Sequence, residues 1–316
     1  MSGLTGQKVA YEQSQPQRNL KVYAILVFCV SCYASTFIFG AILVKSFHPV
    51  ALTFLRLFFI NVFLFIVGWR HIKGKRIPLK LLFILAIAGF IGISVSHISL
   101  HTGLKHTDPI TAALIYALGP LITSFITYFY LKERRRIYFW IGIILGIIGV
   151  AFVVSEGNSL SFQTGKGELL IGVTIFTYSI YLVFVEYLSR YLEPIIITVY
   201  TSFFAFILVV PFMRLEHIGQ AFHIDMNYWI LLIVTAILTN GFCTMLWNSA
   251  VRQVGAATSS LFLNMEPFVA MILGYIILQQ VVESIQLVGS VFIIGGVIMG
   301  TRFGKRNFKN DYKLSA

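Results

Sequence analysis

The stretch TGLKHTDPITAALIYALGPLITSFITYFYLKE, residues 102–133, returns in altered form as SAVRQVGAATSSLFLNMEPFVAMILGYIILQQ, residues 249–280. At a constant offset of 147, Pro120 meets Pro267 and Leu131 meets Leu278. Further on, Gly142 meets Gly289 and Gly149 meets Gly296. Near the start of each copy, Tyr33 meets Tyr178 and Pro49 meets Pro194 at an offset of 145. The chain therefore reads as one unit written twice, and each copy runs through long apolar segments.

Composition places those segments in a membrane. Hydrophobic residues make up 58% of 316 positions, and only 11% are charged. The mean hydropathy is +0.85. A soluble domain carries about 25% charged residues, so this chain holds more apolar surface than an aqueous fold can hide. Crossing about 30 Å of hydrocarbon takes roughly 20 apolar residues. That rule predicts ten helices near 20–44, 49–70, 81–103, 109–131, 136–154, 167–188, 194–214, 227–249, 254–279 and 284–302. Helices are expected because they satisfy their own backbone groups in lipid. Trp69, Trp140, Trp229 and Trp247 fall near predicted ends, where aromatic belts form.

Ten segments in two copies give five each, and an odd number sends the second copy in from the opposite side. The expected fold is thus an all-α membrane protein of ten transmembrane helices, arranged as two inverted five-helix repeats around a central cavity. The first repeat would span 20–154 and the second 167–302. Residues 1–19 read as a polar cytoplasmic tail, 155–166 as an external loop and 303–316 as a basic cytoplasmic tail. The first apolar segment is too long for a cleavable signal.

The net charge of +12 follows topology better than it follows nucleic acid. With both termini in the cytoplasm, 19 Lys and Arg residues lie inside. Only Lys45, Lys105, Lys166 and Arg214 lie outside, and Arg56 falls within a span. This asymmetry obeys the positive-inside rule and implies a multi-pass protein of the plasma (inner) membrane. Basic runs such as LKERRR at 131–136 read as anchors at anionic lipid. Cys29 and Cys32 form a CxxC inside an apolar helix, with no partner close in sequence, so they and Cys243 read as small buried residues.

The repeated alanines, the proline and the Gly-rich last helix of each copy, with the LxE that ends the fourth helix of the first, resemble the EamA family of the drug/metabolite transporter superfamily. Glu266-Pro267 matches a Glu-Pro common at that point of the second repeat. The resemblance implies ten helices, with helices 1–4 and 6–9 around the cavity and helices 5 and 10 outside them. Two departures stand out: Gln279-Gln280 where the first copy has Glu133, and Tyr33 where the family usually has Trp.

Pro120 and Pro267 are expected to kink or loosen the fourth helix of each half, freeing a carbonyl toward a cavity; a packing kink is the alternative. Glu266 has no counterpart in the first copy, where Gly119 stands. By 1.5 Å per residue it lies roughly 17 Å from the inner edge, and Arg56 lies roughly 10 Å from the outer edge. In a core about 30 Å thick, the two could pair. An ionisable residue at that depth is a functional candidate: Glu266 for a proton or a cationic group, Arg56 for an anionic one. A static ion pair is the other reading. Tyr33, His97, Tyr116, Tyr178, Asn240 and Asn264 fall at similar depth and could wall a small-molecule pocket. Each alone could equally bond to a neighbouring helix. His101, Glu186, Trp247 and Asn248 read as interfacial anchors.

Gly142 and Gly146 form one GxxxG, and Gly296 and Gly300 another. Close packing of helices 5 and 10 within the chain explains them; a homodimer is the sharper alternative. No phosphate-binding loop, no zinc-protease motif and no nucleophile elbow appears, so no cofactor, no metal and no enzymatic role is expected. The function expected is secondary transport of small metabolites, such as amino acids, related metabolites or amphipathic toxic compounds. The family tendency is export by alternating access, with protons or the substrate gradient as driving force. A flippase for a lipid or polyprenyl-linked head group is the first alternative, and a lipid-modifying enzyme the second.

Overall fold

A computed structural model describes residues 16–73, 76–131, 137–154, 165–254, 259 and 262–299. Most of the two tails, most of the expected external loop, the run at 132–136 and Gly300 lie outside the described residues. Among the described residues there are helices and no strand. Seven helical runs among the described residues, Pro109–Ile126 counted as one, are long and apolar enough to cross a membrane, and three shorter apolar helices accompany them.

The first long helix, α1 (Pro16–Ser46), takes in the last residues of the expected tail. Next come α2 (Pro49–Ile72), α3 (Leu79–Leu104), α4 (Pro109–Tyr116), α5 (Gly119–Leu131) and α6 (Ile137–Val154). The second series runs α7 (Lys166–Leu188), α8 (Pro194–Val209), α9 (Leu215–Ala221), α10 (Met226–Val254), α11 (Glu266–Leu278) and α12 (Ser284–Ile298). The short surface helix α9 falls between two expected spans. Proline opens several of these helices: Pro49, Pro109 and Pro194 each occupy the first turn, where a missing N–H costs nothing. Asp108 caps α4 by accepting from Ile110 N at 3.0 Å and Thr111 N at 2.9 Å.

Two helices carry a wide turn at matching places. A π-helical segment interrupts α3 at Phe90–Val95, and another interrupts α10 at Ala236–Phe242. The fourth expected helix of each half changes its winding partway along. Ala117 and Leu118 form a turn between α4 and α5, and a 3₁₀ turn at Leu263–Met265 precedes α11. Pro120 and Pro267 each stand two residues beyond the altered turn, on the second residue of the α-helical segment that follows it. Pro267 cannot donate to the Leu263 carbonyl, but Glu266 N–H does so instead through the 3₁₀ turn. In this half the expected free carbonyl is recaptured.

The packing has a recurring logic. α2 lies against α8, and α6 against α12. α1 packs on α10 and α11, while α7 packs on α3 and α5. Glycine makes the α6–α12 crossing close. A Cβ on Gly149 would lie 2.7 Å from Gly289 O, and one on Gly296 would lie 2.6 Å from Gly142 O. Residue numbers that rise along one helix fall along the other, so the two run antiparallel. The glycines of both predicted motifs that the structure describes are thus committed within one chain.

Candidate functional site

Where α1, α2, α3, α7, α8 and α10 converge with the ends of α4 and α11, they leave a cavity of about 90 Å³. Its wall is mainly apolar and aromatic. Tyr33, His97, Tyr116, Tyr178, Asn240 and Glu266 all line it. Tyr116 and Tyr178 stand with ring centroids 5.9 Å apart, and Phe37 meets Tyr116 edge-on at 5.4 Å. The Tyr33 ring meets Trp247 edge-on at 5.7 Å, and its hydroxyl lies 3.5 Å from Thr244 Oγ1.

Glu266 is 1% exposed, and its Oε2 has no hydrogen-bond partner. The carboxylate stands on the first residue of α11, directly after the 3₁₀ turn, and its own backbone N–H is already bound to Leu263 O.

The expected Arg56–Glu266 pair does not form. Arg56 is fully buried and donates from Nη2 to Asn240 Oδ1 at 2.7 Å and to Thr239 Oγ1 at 3.4 Å. Its Nε and Nη1 have no partner. Among the described residues the one ion pair is His71–Glu193, at 3.4 Å and half-exposed. Arg56 thus stands behind Asn240 rather than in the cavity wall. The guanidinium is directed to the Thr239–Asn240 pair of α10 and not to Glu266.

Asn264 is buried in the 3₁₀ turn, its Oδ1 unpartnered, but it does not line the cavity. Neither Pro120 nor Pro267 reaches the wall. Three residues read as interfacial anchors are instead buried. Trp247 is 1% exposed, and Asn248 donates to Thr198 Oγ1 at 2.7 Å. His101 Nδ1 and Thr53 Oγ1 lie 2.8 Å apart. Glu186, by contrast, is exposed. The CxxC also gains a neighbour that lies far off in the sequence: Cys29 Sγ donates to Cys243 O at 3.5 Å, and all three thiols are free.

Small hydroxyl residues complete the wall, and depth and charge alone do not single them out: Thr36, Ser96, Thr174, Thr198, Ser202 and Thr244. Their signal is helical spacing. Thr174 precedes Tyr178 by four, Thr198 precedes Ser202 by four, and Asn240 precedes Thr244 by four, so each pair shares a helix face. Thr36 Oγ1, His97 Nδ1 and Ser202 Oγ share with Glu266 Oε2 the lack of any protein partner. Buried polar groups are ordinarily paired. Such a set around one cavity suits a polar solute. A ligand pocket for a larger molecule measures roughly 300–1,000 Å³, so this cavity is compact and holds something small unless the helices part.

Comparison with known proteins gives consistent results. The profile of the EamA-like transporter family matches residues 20–155 and 165–302. The chain is 27% identical to the uncharacterized transporter YyaM of Bacillus subtilis, over 71% of this chain and 76% of that one. It is 23% identical to YetK of the same organism, also an uncharacterized transporter, over 90% and 87%. An uncharacterized transporter of Archaeoglobus fulgidus is 25% identical over 90% and 99%. A solved crystal structure of another protein superposes with a TM-score of 0.60 at 17% identity, covering 88% of this chain and 96% of that one.

Proposed function

We propose, from the premise that this chain belongs to the EamA-like transporter family, that it is a secondary transporter moving a small polar metabolite through the central cavity by alternating access. The unpartnered Glu266 carboxylate in the wall of that cavity carries the reading. A buried carboxylate without a counter-charge destabilises a fold. Meeting the cationic or donor end of a solute, or a proton, gives its retention a reason. Amino acids, related metabolites and amphipathic cations are the classes this chemistry suits, and export is the direction.

Several features support two inverted five-helix halves as the moving parts. The family profile matches twice along the chain. Contacts of α1 with α10 and α11 are mirrored by contacts of α7 with α3 and α5. At the antiparallel α6–α12 crossing, Gly142 touches Gly296 and Gly149 touches Gly289, as a two-fold axis between equivalent helices requires. The three shorter apolar helices then complete ten crossings. The excess of basic residues on one side favours both termini in the cytoplasm of a plasma-membrane protein. Any homodimer would use a face other than these glycines.

The test is a thermal-shift panel on the purified full-length chain, wild type beside Glu266→Gln, with amino acids, nucleosides, organic cations and lipid head groups at several pH values. A ligand at 100 times its Kd should stabilise the wild type by about 2.7 kcal/mol. The reading expects one soluble class to do so and Glu266→Gln to lose the response. An equal response in both proteins would leave a transporter in which Glu266 is structural. Stabilisation by lipid head groups alone would replace the soluble substrate with a lipid.

A further inference from the structure

Asn240 lies in the π segment of α10 and faces the cavity, with Arg56 of α2 directly behind it. Its Oδ1 accepts from the Arg56 guanidinium at 2.7 Å, and the Thr239 hydroxyl lies 2.9 Å from the same oxygen. A guanidinium carries donors and no acceptor. Were the amide turned over, its NH₂ would face Arg56 donor to donor. The orientation of Asn240 is therefore dictated by Arg56 and not a matter of assignment. The carbonyl looks toward Arg56, and the NH₂ has no protein acceptor among the described residues.

The charge distribution points the same way. Arg56 is fully buried, and no carboxylate among the described residues lies within ion-pair distance. A buried cation without a counter-ion is costly. One amide group separates it from the cavity, and that amide is polarised by it, which strengthens the Asn240 NH₂ as a donor. The cavity therefore has an acidic pole at Glu266 and a second pole, at Asn240, that presents donors under a positive field.

We infer that Asn240, oriented by Arg56, is the residue with which the cavity reads a carboxylate of its substrate. The substrate class is then a small carboxylic acid, and Arg56 is a positioning residue that never touches it. This rests on the transporter reading above and narrows it. The expected effect is on discrimination: an acid and its matching amide differ at the group Asn240 meets and nowhere else.

The experiment uses the full-length chain in detergent and matched probe sets: L-alanine, L-alaninamide and ethylamine; L-phenylalanine, L-phenylalaninamide and phenethylamine. Kd is read by thermal shift or calorimetry. In the wild type, at least one acid should bind tenfold or more tightly than its amide. Asn240→Asp places an acceptor where the donors stood and satisfies Arg56, so it should fold; acid binding should fall at least tenfold while amine binding persists. Arg56→Lys should keep the preference for the acid, and Arg56→Gln should reduce it.

Wild-type protein that binds an acid and its amide equally would overturn the inference while leaving the transporter reading intact. The same holds if amines alone bind, through Glu266. If no probe binds, the carboxylate class fails, and the panel above decides whether the transporter reading fails with it. The wild-type comparison stands even if a variant does not fold.

Discussion

Gly149 and Gly289 approach so closely that a methyl group on either would lie 2.7 Å from the carbonyl oxygen of the other. The obstacle in each case is backbone, which cannot swing aside as a side chain does. Gly149→Val should therefore destabilise the chain by about 1–3 kcal/mol, the usual cost of overpacking. Gly295 lies on the same helix as Gly289, yet a Cβ there would meet nothing within 4 Å. Melting curves in one detergent should show Gly149→Val well below wild type and Gly295→Val close to it.

Thr53 and His101 form a buried hydrogen bond of 2.8 Å between α2 and α3. Thr53→Val would leave the imidazole Nδ1 without its partner, at a cost of about 1–3 kcal/mol. Replacing both, as Thr53→Val with His101→Phe, should recover part of that loss, because no polar atom is then stranded. A double-mutant cycle on thermal or chemical unfolding measures the coupling.

His48, in the short connection before α2, stacks on His217 of α9 with ring centroids 3.6 Å apart and an interplanar angle of 17°. Burial first, then His217, Lys105 and Arg214, push its pKa below the ordinary 6.5. The folded chain thus binds a proton here less readily than the unfolded chain does. Stability from this contact is intact above pH 6.5 and declines as pH falls through the window between 6.5 and the lower folded value. Melting temperatures taken from about pH 7.5 to about pH 5 should fall, and His48→Phe should flatten that slope. An unchanged slope would show that the imidazole stack does not respond to protons.

Glu266→Gln should leave the melting temperature of the ligand-free protein equal to wild type or above it, since it removes a buried acid whose Oε2 has no partner. A large loss of stability would instead make the carboxylate part of the scaffold.

Much of this fold is legible in the chain because lipid imposes one rule on every segment. Apolar length predicts the helices, and Pro49, Pro109 and Pro194 mark where three of them begin. The cavity is legible as a level rather than a direction. Tyr33, His97, Tyr116, Tyr178, Asn240 and Glu266 are found by depth. Depth says nothing about rotation around a helix axis, so it pairs Arg56 with Glu266 when the partner is Asn240. The same ambiguity hides the position of Trp247. A tryptophan near a helix end fits a lipid belt, as Trp69 does at 48% exposed, and only its packing on Tyr33 reveals the buried case.

The wide turns at Phe90–Val95 and Ala236–Phe242 have a mechanical consequence. Each holds one residue more than the surrounding α-helix needs. Sliding that surplus along by one position would swing the intervening residue by about 100° around the axis, since an α-helix has about 3.6 residues per turn. Hydrogen bonds would be exchanged rather than lost. Gly92 and Ile93 on one helix and Asn240 on the other sit within these surplus turns and face the cavity. Both segments border the cavity, so such a shift would change which side chains face it while both helices stay whole.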